Sequence, residues 1–439
     1  MNRRSVVFAL LTTACATSHG AFVGDSLEGA TLSVSSLDVN GDGSVDAADH
    51  ALLDGLAKAA TSKLGSAPAP ISTPLYKGMG DHDHASLLKL AKQKSGQWDL
   101  SAYDESALRS LAAESKWLAS QVKVVGSVNV GPEKEALLAG LLTSHFPGYS
   151  ADSMTPKAVC EAIQLLDTKA IHAQGFALTA VFDLDETLWD GHGIDYFLSA
   201  LVESKKVTEQ AHPAMVEALL KVEGVNADLV RKNSIQDNAA LVLKHATDGS
   251  LPKAQRLNRK DGFYLVAAML AGMSKQDAYK IAQRSMTQGS SAYPPLQGKF
   301  YDDPSGCSMR RIVAQLRSSG FDVYFISAGL DILVDVAGDM LGVGPENRIG
   351  SLQEAKNDKY TGNVDSTYML KGSIVREWLG GPAYLAFGDS VNSDFPFMLD
   401  ASGPAFMINP DERFKKKDLE KANGRFVELR FNKVEGGNP

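Results

Sequence analysis

The chain has 439 residues, a formal net charge of -8 and only three cysteines, Cys15, Cys160 and Cys307. At about 150 residues per domain, this length predicts two or three domains with enough chain for a sizeable core. The acidic balance argues against a nucleic-acid-binding protein, which is usually basic. The cysteine count excludes a disulfide framework and leaves a single bridge between Cys160 and Cys307 open.

Residues 1–21 have the layout of a secretory signal peptide. Arg3 and Arg4 precede an apolar run over residues 5–16, and small residues follow it. The run is too short to span a bilayer, and no later stretch is long and apolar enough, so we predict an exported protein, periplasmic or secreted, without a stable membrane span. A lipid anchor on Cys15 and a plastid-directed leader ending near Phe22 stay open as alternatives.

Residues 38–49 match the calcium-binding loop of an EF-hand. Oxygen-bearing side chains stand at loop positions 1, 3, 5, 9 and 12, a glycine stands at position 6 for the sharp turn, and position 7 offers a backbone carbonyl. The predicted Ca²⁺ ligands are Asp38, Asn40, Asp42, Ser44, Asp46 and Asp49. The segment resembles one dockerin repeat as closely as it resembles an EF-hand, and a protein partner bound through this loop is a hypothesis.

A stretch rich in proline, serine and alanine at residues 65–75 predicts a linker. It separates the calcium-binding segment, residues 22–64, from a helical region over residues 76–172. Apolar residues at helical spacing predict three helices in that region, over residues 107–122, 132–145 and 155–171.

The apolar run at residues 177–182 ends in two carboxylates, Asp183 and Asp185. Its length fits a strand buried on both faces of a parallel sheet. Ligands of open α/β sheets bind beyond the carboxyl ends of the strands, so this position favours chemistry over packing. The alternative is a strand followed by an acidic helix start, in which both residues serve only as caps.

A long insertion follows over residues 191–320, with helix-like stretches at 194–202, 211–222, 238–246, 262–273, 275–286 and 310–317. Beyond it, one strand-like run ends at Ser327, Lys371 opens a helix, and another run leads into Asp389 and Asp394. Two more strand-like runs cover residues 404–409 and 426–430. Strands that alternate with helices predict an α/β fold with a Rossmann-like parallel sheet.

These motifs stand in a fixed order: Asp-x-Asp-x-Thr after a strand, Ser327, Lys371, and Gly-Asp-(x)4-Asp after another strand. The set resembles the haloacid dehalogenase (HAD) superfamily over residues 175–430, and the acid at the third position of the first motif is similar to its phosphatase branch. The insertion resembles the cap of the phosphoserine phosphatase group, with a finer likeness to exported phosphorylcholine phosphatases. The resemblance implies a core built from residues 173–190 and 321–439, with residues 191–320 as a helical cap.

The resemblance also implies roles for the acidic motif and its partners. Asp183 would attack phosphorus and form an aspartyl-phosphate, while Asp185 would serve as general acid and then as general base. Ser327 and Lys371 would bind the transferring phosphoryl group and neutralise its charge. Two nearby lysines compete with Lys371 for this role, Lys356 and Lys359.

A divalent cation is expected beside these acids. A phosphomonoester dianion repels a carboxylate, and Mg²⁺, which prefers oxygen ligands, would remove that repulsion. Asp183 and Asp389 would ligate the ion. By the resemblance, the backbone carbonyl of Asp185 completes the protein ligands, and Asp394 supports the site as an outer ligand or hydrogen-bond partner.

We therefore predict a Mg²⁺-dependent phosphomonoesterase that acts on a small phosphorylated metabolite. Phosphoserine phosphatases place a glutamate nine residues after the nucleophile, and His192 stands there in this chain, which argues against phosphoserine as the substrate. Three aromatic residues nearby favour helix-core packing over a cage for a quaternary ammonium group: Trp189, Tyr196 and Phe197. A phosphotransferase using the same intermediate, and a calcium-dependent binding protein with a non-catalytic HAD-like scaffold, are the alternative functions.

Overall fold

The computed structural model describes residues 87–89, 92, 154–173, 176–410 and 426–431. The predicted signal peptide, calcium-binding loop and linker, and the helices over 107–122 and 132–145, lie outside the described residues and stay predictions. All described residues belong to one compact unit, Leu75–Pro439. No helix in this described part is both long and apolar enough to cross a membrane.

The described residues build one seven-stranded sheet in the order β4-β3-β2-β1-β5-β6-β7. The strands are β1 (Thr179–Phe182), β2 (Asp322–Leu330), β3 (Arg348–Lys356), β4 (Lys359–Asp365), β5 (Leu385–Gly388), β6 (Ala405–Ile408) and β7 (Phe426–Leu429). All neighbouring strands are parallel except β3 and β4. The predicted α/β class is confirmed, and the antiparallel hairpin of β3 and β4 at one edge corrects the expectation of a purely parallel sheet.

The first strand lies in the middle of the sheet because it is apolar on both faces. All four of its residues are buried. On one face, Phe182 stacks on Phe387 with ring centroids 4.1 Å apart, and Phe387 stacks on Phe406 at 4.6 Å. On the other face, Val181 packs into a second apolar cluster with Ile326. Two packed layers therefore hold the end of β1 in place.

Helices cover both faces of the sheet and fill the insertion between β1 and β2. Those before the insertion are α1 (Pro156–Gln164) and α2 (Thr168–Ala173), and those within it are α3 (Gly193–Ser204), α4 (His212–Leu220), α5 (Ala227–Lys232), α6 (Ile235–Thr247), α7 (Arg259–Met269), α8 (Lys275–Thr287) and α9 (Met309–Ser318). Those after it are α10 (Asp331–Leu341), α11 (Lys371–Leu379) and α12 (Phe395–Asp400). The insertion has no strand of the sheet among these residues, as the sequence predicts.

The helix predicted over residues 155–171 is wrong as a single element. It breaks between α1 and α2, where the Asp167 side chain accepts a hydrogen bond from the backbone N–H of Ala170 at 3.0 Å. Aspartate competes well as a cap at such a position and so favours a new helix start over continuation. Thr155 caps α1 as the sequence predicts, and Pro156 occupies its first turn.

A disulfide joins Cys160 in α1 to Cys307, which lies just before α9. The sequence left this bridge open, and the structure contains it. The two cysteines are 147 residues apart in sequence. The bridge therefore ties the segment that precedes the sheet to the segment that leads from the insertion back into β2.

Candidate active site

The predicted catalytic residues meet at the carboxyl ends of three adjacent strands. Asp183 directly follows β1, Ser327 lies near the end of β2, and Asp389 directly follows β5. The chain leaves β1 toward β2 on one side and returns to β5 on the other, so this edge is the point at which the strand order reverses. Open α/β sheets bind ligands at such a point.

Three carboxylates and one lysine form the buried centre of the site. One oxygen each from Asp183, Asp389 and Asp394 lies within 4.8 Å of the others. The Lys371 Nζ atom lies 2.6 Å from Asp394 Oδ1 and 2.7 Å from Asp183 Oδ1. Lys371 is the first residue of α11 and only 1% exposed. The competing lysines, Lys356 and Lys359, are exposed on the β3–β4 hairpin.

Asp394 is completely buried and fully hydrogen-bonded. Its Oδ1 accepts hydrogen bonds from Lys371 Nζ and from Ser393 Oγ at 2.9 Å. Its Oδ2 accepts from the backbone N–H groups of Asp389 at 3.1 Å and Ser390 at 3.0 Å. This side chain thus fixes the loop after β5 and joins it to α11, which suits the predicted supporting role better than direct ligation of a metal ion.

The acids of the site carry unbalanced negative charge. Burial, followed by the charge of Asp394, raises the pKa of Asp183 to about 8, although Lys371 acts in the opposite direction. Burial, followed by the charges of Asp394 and Asp183, raises the pKa of Asp389 well above its usual range. Burial alone would lower the pKa of Lys371, but Asp183 and Asp394 together raise it. One lysine therefore does not compensate three carboxylates.

The residues present fit a hard divalent cation. Asp183 Oδ1 is buried, contacts Lys371 Nζ at 2.7 Å and has no other donor among the described residues. Asp389 is half-buried, and its Oδ1 accepts only a 3.2 Å hydrogen bond from Thr187 Oγ1 among the described residues. Carboxylate oxygens are the ligands that Mg²⁺ prefers.

Asp185 is not part of this carboxylate cluster, and two donors hold its side chain. Its Oδ1 accepts hydrogen bonds from the indole Nε1–H of Trp189 at 3.0 Å and from the backbone N–H of Gly193 at 2.8 Å. No motif in the sequence predicted either donor. A buried tryptophan needs a partner for its N–H, so the spacing of four residues between Asp185 and Trp189 was the available signal.

Ser327 is held by its own strand and by the loop after β4. It is 3% exposed, and its Oγ accepts a hydrogen bond from the backbone N–H of Gly329 at 2.9 Å. Thr367 Oγ1 donates to the Ser327 carbonyl at 2.5 Å. The serine hydroxyl retains its own proton as a donor for a ligand.

The loop after Asp183 is shaped by buried polar contacts. Thr187 is fully buried and donates to Asp389. Glu186 adopts a left-handed backbone conformation (φ 56°), and its Oε2 accepts a 3.1 Å hydrogen bond from Tyr301 OH. His192 is half-buried, with Nε2 at 3.6 Å from Glu186 Oε1. The core packing predicted for three aromatic residues is confirmed by their burial: Trp189, Tyr196 and Phe197.

No family model and no curated protein matches the chain. Similar solved structures include a phospho-aspartyl intermediate analogue of a phosphoserine phosphatase, with 17% identity, 59% of this chain and 95% of that chain covered, and a TM-score of 0.32. A probable phosphoserine phosphatase from Vibrio cholerae is 16% identical, with 61% of this chain and 68% of that chain covered and a TM-score of 0.33. A HAD family hydrolase from Salmonella enterica is 13% identical, with 71% of this chain and 94% of that chain covered and a TM-score of 0.33. TM-scores this low assign no activity to this chain.

Proposed function

We propose that the chain is a Mg²⁺-dependent phosphomonoesterase that acts on a small organic phosphate. The observation that supports this most is the meeting of Asp183 with Lys371, Asp389 and Asp394 at one sheet edge, with Ser327 and Asp185 beside them. Neutralising a phosphate dianion next to a carboxylate nucleophile requires such a set of cationic and metal-binding groups.

Asp183 and Asp389 would hold the Mg²⁺ ion, with the backbone carbonyl of Asp185 as a further ligand. When bound, the ion would draw charge from the phosphoryl oxygens and so reduce their repulsion of the nucleophile. Lys371 already neutralises part of the local charge, and its pairing with Asp394 fixes its Nζ atom at the site. Ser327 would donate a hydrogen bond to a phosphoryl oxygen.

In the first step, a carboxylate oxygen of Asp183 forms a bond to phosphorus, and the bond from phosphorus to the ester oxygen breaks. The electron pair stays on the ester oxygen, which takes a proton from Asp185 and leaves as an alcohol. In the second step, Asp185 removes a proton from water while the water oxygen bonds to phosphorus. The phosphorus bond to Asp183 breaks, and inorganic phosphate is released.

Replacement of Asp183 tests this proposal. We expect Asp183→Asn to abolish phosphate release while the circular dichroism spectrum and melting temperature stay close to those of the wild type. The assay panel is phosphocholine, phosphoethanolamine, phosphoserine, nucleoside monophosphates and sugar phosphates, with and without Mg²⁺. The matched control is Asp228→Asn, on a cap helix with a side chain that is 84% exposed, which should retain full activity.

Three results would contradict the proposal. Turnover retained by purified Asp183→Asn would exclude the nucleophile, and transfer of phosphate to glycerol in preference to water would make the protein a phosphotransferase. Absence of turnover by the wild type across the panel would favour the non-catalytic scaffold.

We also propose that the protein is exported. The Cys160–Cys307 disulfide supports this, because such bridges persist in oxidising compartments and are rare in the cytosol. Alkylation of the protein isolated from its source without reductant should leave both cysteines unmodified. Free thiols at these positions would contradict export.

A further inference from the structure

The two hydrogen bonds to Asp185 converge on one of its two carboxylate oxygens. Trp189 Nε1–H and the Gly193 N–H both donate to Oδ1. An indole N–H is a donor only, and so is a backbone amide. Because both groups need an acceptor, Oδ1 stays an acceptor, and a proton on this carboxyl group is left to Oδ2.

The second oxygen of Asp185 faces the phosphoryl-binding side of the site. Oδ2 has no hydrogen-bond partner among the described residues. A methyl group at the α-carbon of Gly329 would lie 3.8 Å from Asp185 Oδ2 and 3.2 Å from Ser327 Oγ. The two oxygens therefore border the same space, in which an ester oxygen of a bound phosphate would be protonated.

Trp189 is itself held rigidly. It is 1% exposed, and the Phe300 ring packs edge-on against it with centroids 5.4 Å apart. The Arg310 guanidinium lies over the Phe300 ring at 4.1 Å. Backbone bonds on both sides of Trp189 join its segment to residues at the end of the insertion: Asp190 N to Lys299 O at 2.9 Å and Tyr301 N to Leu188 O at 3.0 Å.

We propose that Trp189 is a positioning residue, which holds Asp185 so that Oδ2 exchanges the proton with the leaving oxygen and then with water. This inference rests on the proposed phosphomonoesterase activity. Loss of the indole donor would free the carboxyl group to rotate, and a proton on Oδ1 would then point away from the substrate. Proton transfer would be impaired, whereas phosphate binding by Ser327 and Lys371 would not.

A leaving-group comparison tests this role. An alkyl phosphate needs a proton on its leaving oxygen, while 4-nitrophenyl phosphate leaves readily without one. We expect Trp189→Phe, which keeps a ring against Phe300 but removes the donor, to lower kcat/KM for the fastest alkyl ester of the panel at least about tenfold more than for the nitrophenyl ester. This ratio reports the steps up to departure of the leaving oxygen and leaves out the later attack of water, which both esters share. The same replacement at Trp378, a buried tryptophan packed on Tyr324, is the control and should affect both esters alike.

A second measurement does not depend on turnover. The chain has four tryptophans, so the ¹H–¹⁵N spectrum of the labelled protein contains few indole signals, and Trp189→Phe identifies one of them. We expect that signal to move when Asp185 is replaced by Asn and to stay in place in Asp228→Asn.

The outcomes separate the two proposals. Wild-type protein that releases no phosphate would overturn the proposed function and this role with it. Active wild type with equal losses of kcat/KM on both esters in Trp189→Phe would overturn the role of Trp189 alone. If Trp189→Phe does not fold, the Trp189 indole signal can be assigned by replacing the other three tryptophans in turn. A Trp189 signal that does not move in Asp185→Asn would also overturn the role of Trp189.

Discussion

Asp394 supports the candidate site by holding its other residues in place. Its two oxygens accept four hydrogen bonds, two from the loop after β5 and two from the Lys371 and Ser393 side chains. Buried polar groups that are fully satisfied rigidify their surroundings. The end of β5 must therefore leave room for this side chain at close range, and Gly388 does so.

We expect Gly388→Ala to destabilise the protein and reduce activity. A methyl group there would lie 2.6 Å from the Cβ of Asp394 and 2.9 Å from Met398 Sδ, so neighbouring atoms must shift. Overpacking of this kind costs about 1–3 kcal/mol. Urea denaturation measures it, with Gly381→Ala as the control, because a methyl group at Gly381 meets no atom within 4 Å. Equal midpoints for the two variants would contradict the expectation.

We expect Lys371→Met to lose activity and to be less stable than the wild type. Removal of one partner from a buried ion pair leaves uncompensated charge and costs about 3–5 kcal/mol. Mg²⁺ should recover part of this loss, since its charge replaces that of the lysine among the same carboxylates. Denaturation midpoints with Mg²⁺ and with a chelator measure both effects. Lys359→Met, at an exposed lysine, should change neither activity nor stability. A loss of stability in Lys371→Met that Mg²⁺ does not reduce would contradict the expected recovery.

Among the secondary-structure elements, α8 of the insertion is joined to the core through a polar contact with α10 and β3. Tyr279 OH donates to Asp339 Oδ2, and Arg348 Nη2 donates to Asp339 Oδ1 at 2.7 Å. Burial alone would raise the pKa of Asp339, but these hydrogen bonds outweigh it and hold the pKa below its usual range. The ionised form of Asp339 therefore stabilises this junction.

We expect Asp339→Asn to lower the free energy of unfolding by about 0.5 kcal/mol at pH 7, because the Asp339 side chain is 52% exposed and solvent screens its charge. A carboxyl group whose pKa is depressed by folding contributes stability above its unfolded pKa of about 3.9, and this contribution is lost as the pH falls through the folded value. The difference from the wild type should therefore close below about pH 4. Asp228→Asn should show no such pH dependence, and a difference that persists in acid would contradict the electrostatic origin.

The elements that carry the motifs could be predicted from sequence, because each is a short apolar run with a polar residue at its exit. The β3–β4 hairpin could not. Its first strand begins with Arg348, a charged residue that is 5% exposed and neutralised by Asp339 across the fold. Its second strand, β4, alternates between exposed and more buried residues, but Tyr360 is the only one in the buried class. β3 lacks the apolar run of a buried strand, and the alternation of β4 rests on two large apolar side chains, Tyr360 and Val364, which are too few to predict a strand.

Much of the candidate site could also be predicted from the sequence. The order of Asp183, Ser327, Lys371 and Asp389 along the chain predicted which residues meet, since carboxyl ends of parallel strands share one edge of the sheet. The orientation of Asp185 was not predictable, because it depends on an indole donor and on a backbone N–H at the start of α3. Periodicity describes which face a residue occupies but not which atoms it bonds.

At the scale of the whole molecule, the disulfide is the longest-range covalent constraint. It closes a segment of 147 residues that includes β1 and the insertion as far as Cys307. Cross-links that close long segments restrict the unfolded chain most, although measured effects vary.

We expect Cys160→Ser/Cys307→Ser to be less stable than the wild type by about 2–4 kcal/mol. Its activity at low temperature should persist, because neither cysteine contacts the site. Dithiothreitol should lower the melting temperature of the wild type toward that of the variant and leave the variant unchanged. A variant as stable as the wild type would contradict the expectation.

The β3–β4 hairpin also constrains how the insertion can move. Three backbone hydrogen bonds join it to the segment between α7 and α8: Gly272 N to Tyr360 O at 2.8 Å, Tyr360 N to Met273 O at 3.0 Å and Lys275 N to Asp358 O at 3.0 Å. These hydrogen bonds attach the insertion to the edge of the sheet at a point far along the chain from both ends of the insertion. The chain connections on either side of the insertion, with the bonds of Asp190 to Lys299 and of Tyr301 to Leu188, hold it at a second place. Any opening that preserves all these bonds is therefore a rotation about the line that joins the hairpin to the Trp189 segment.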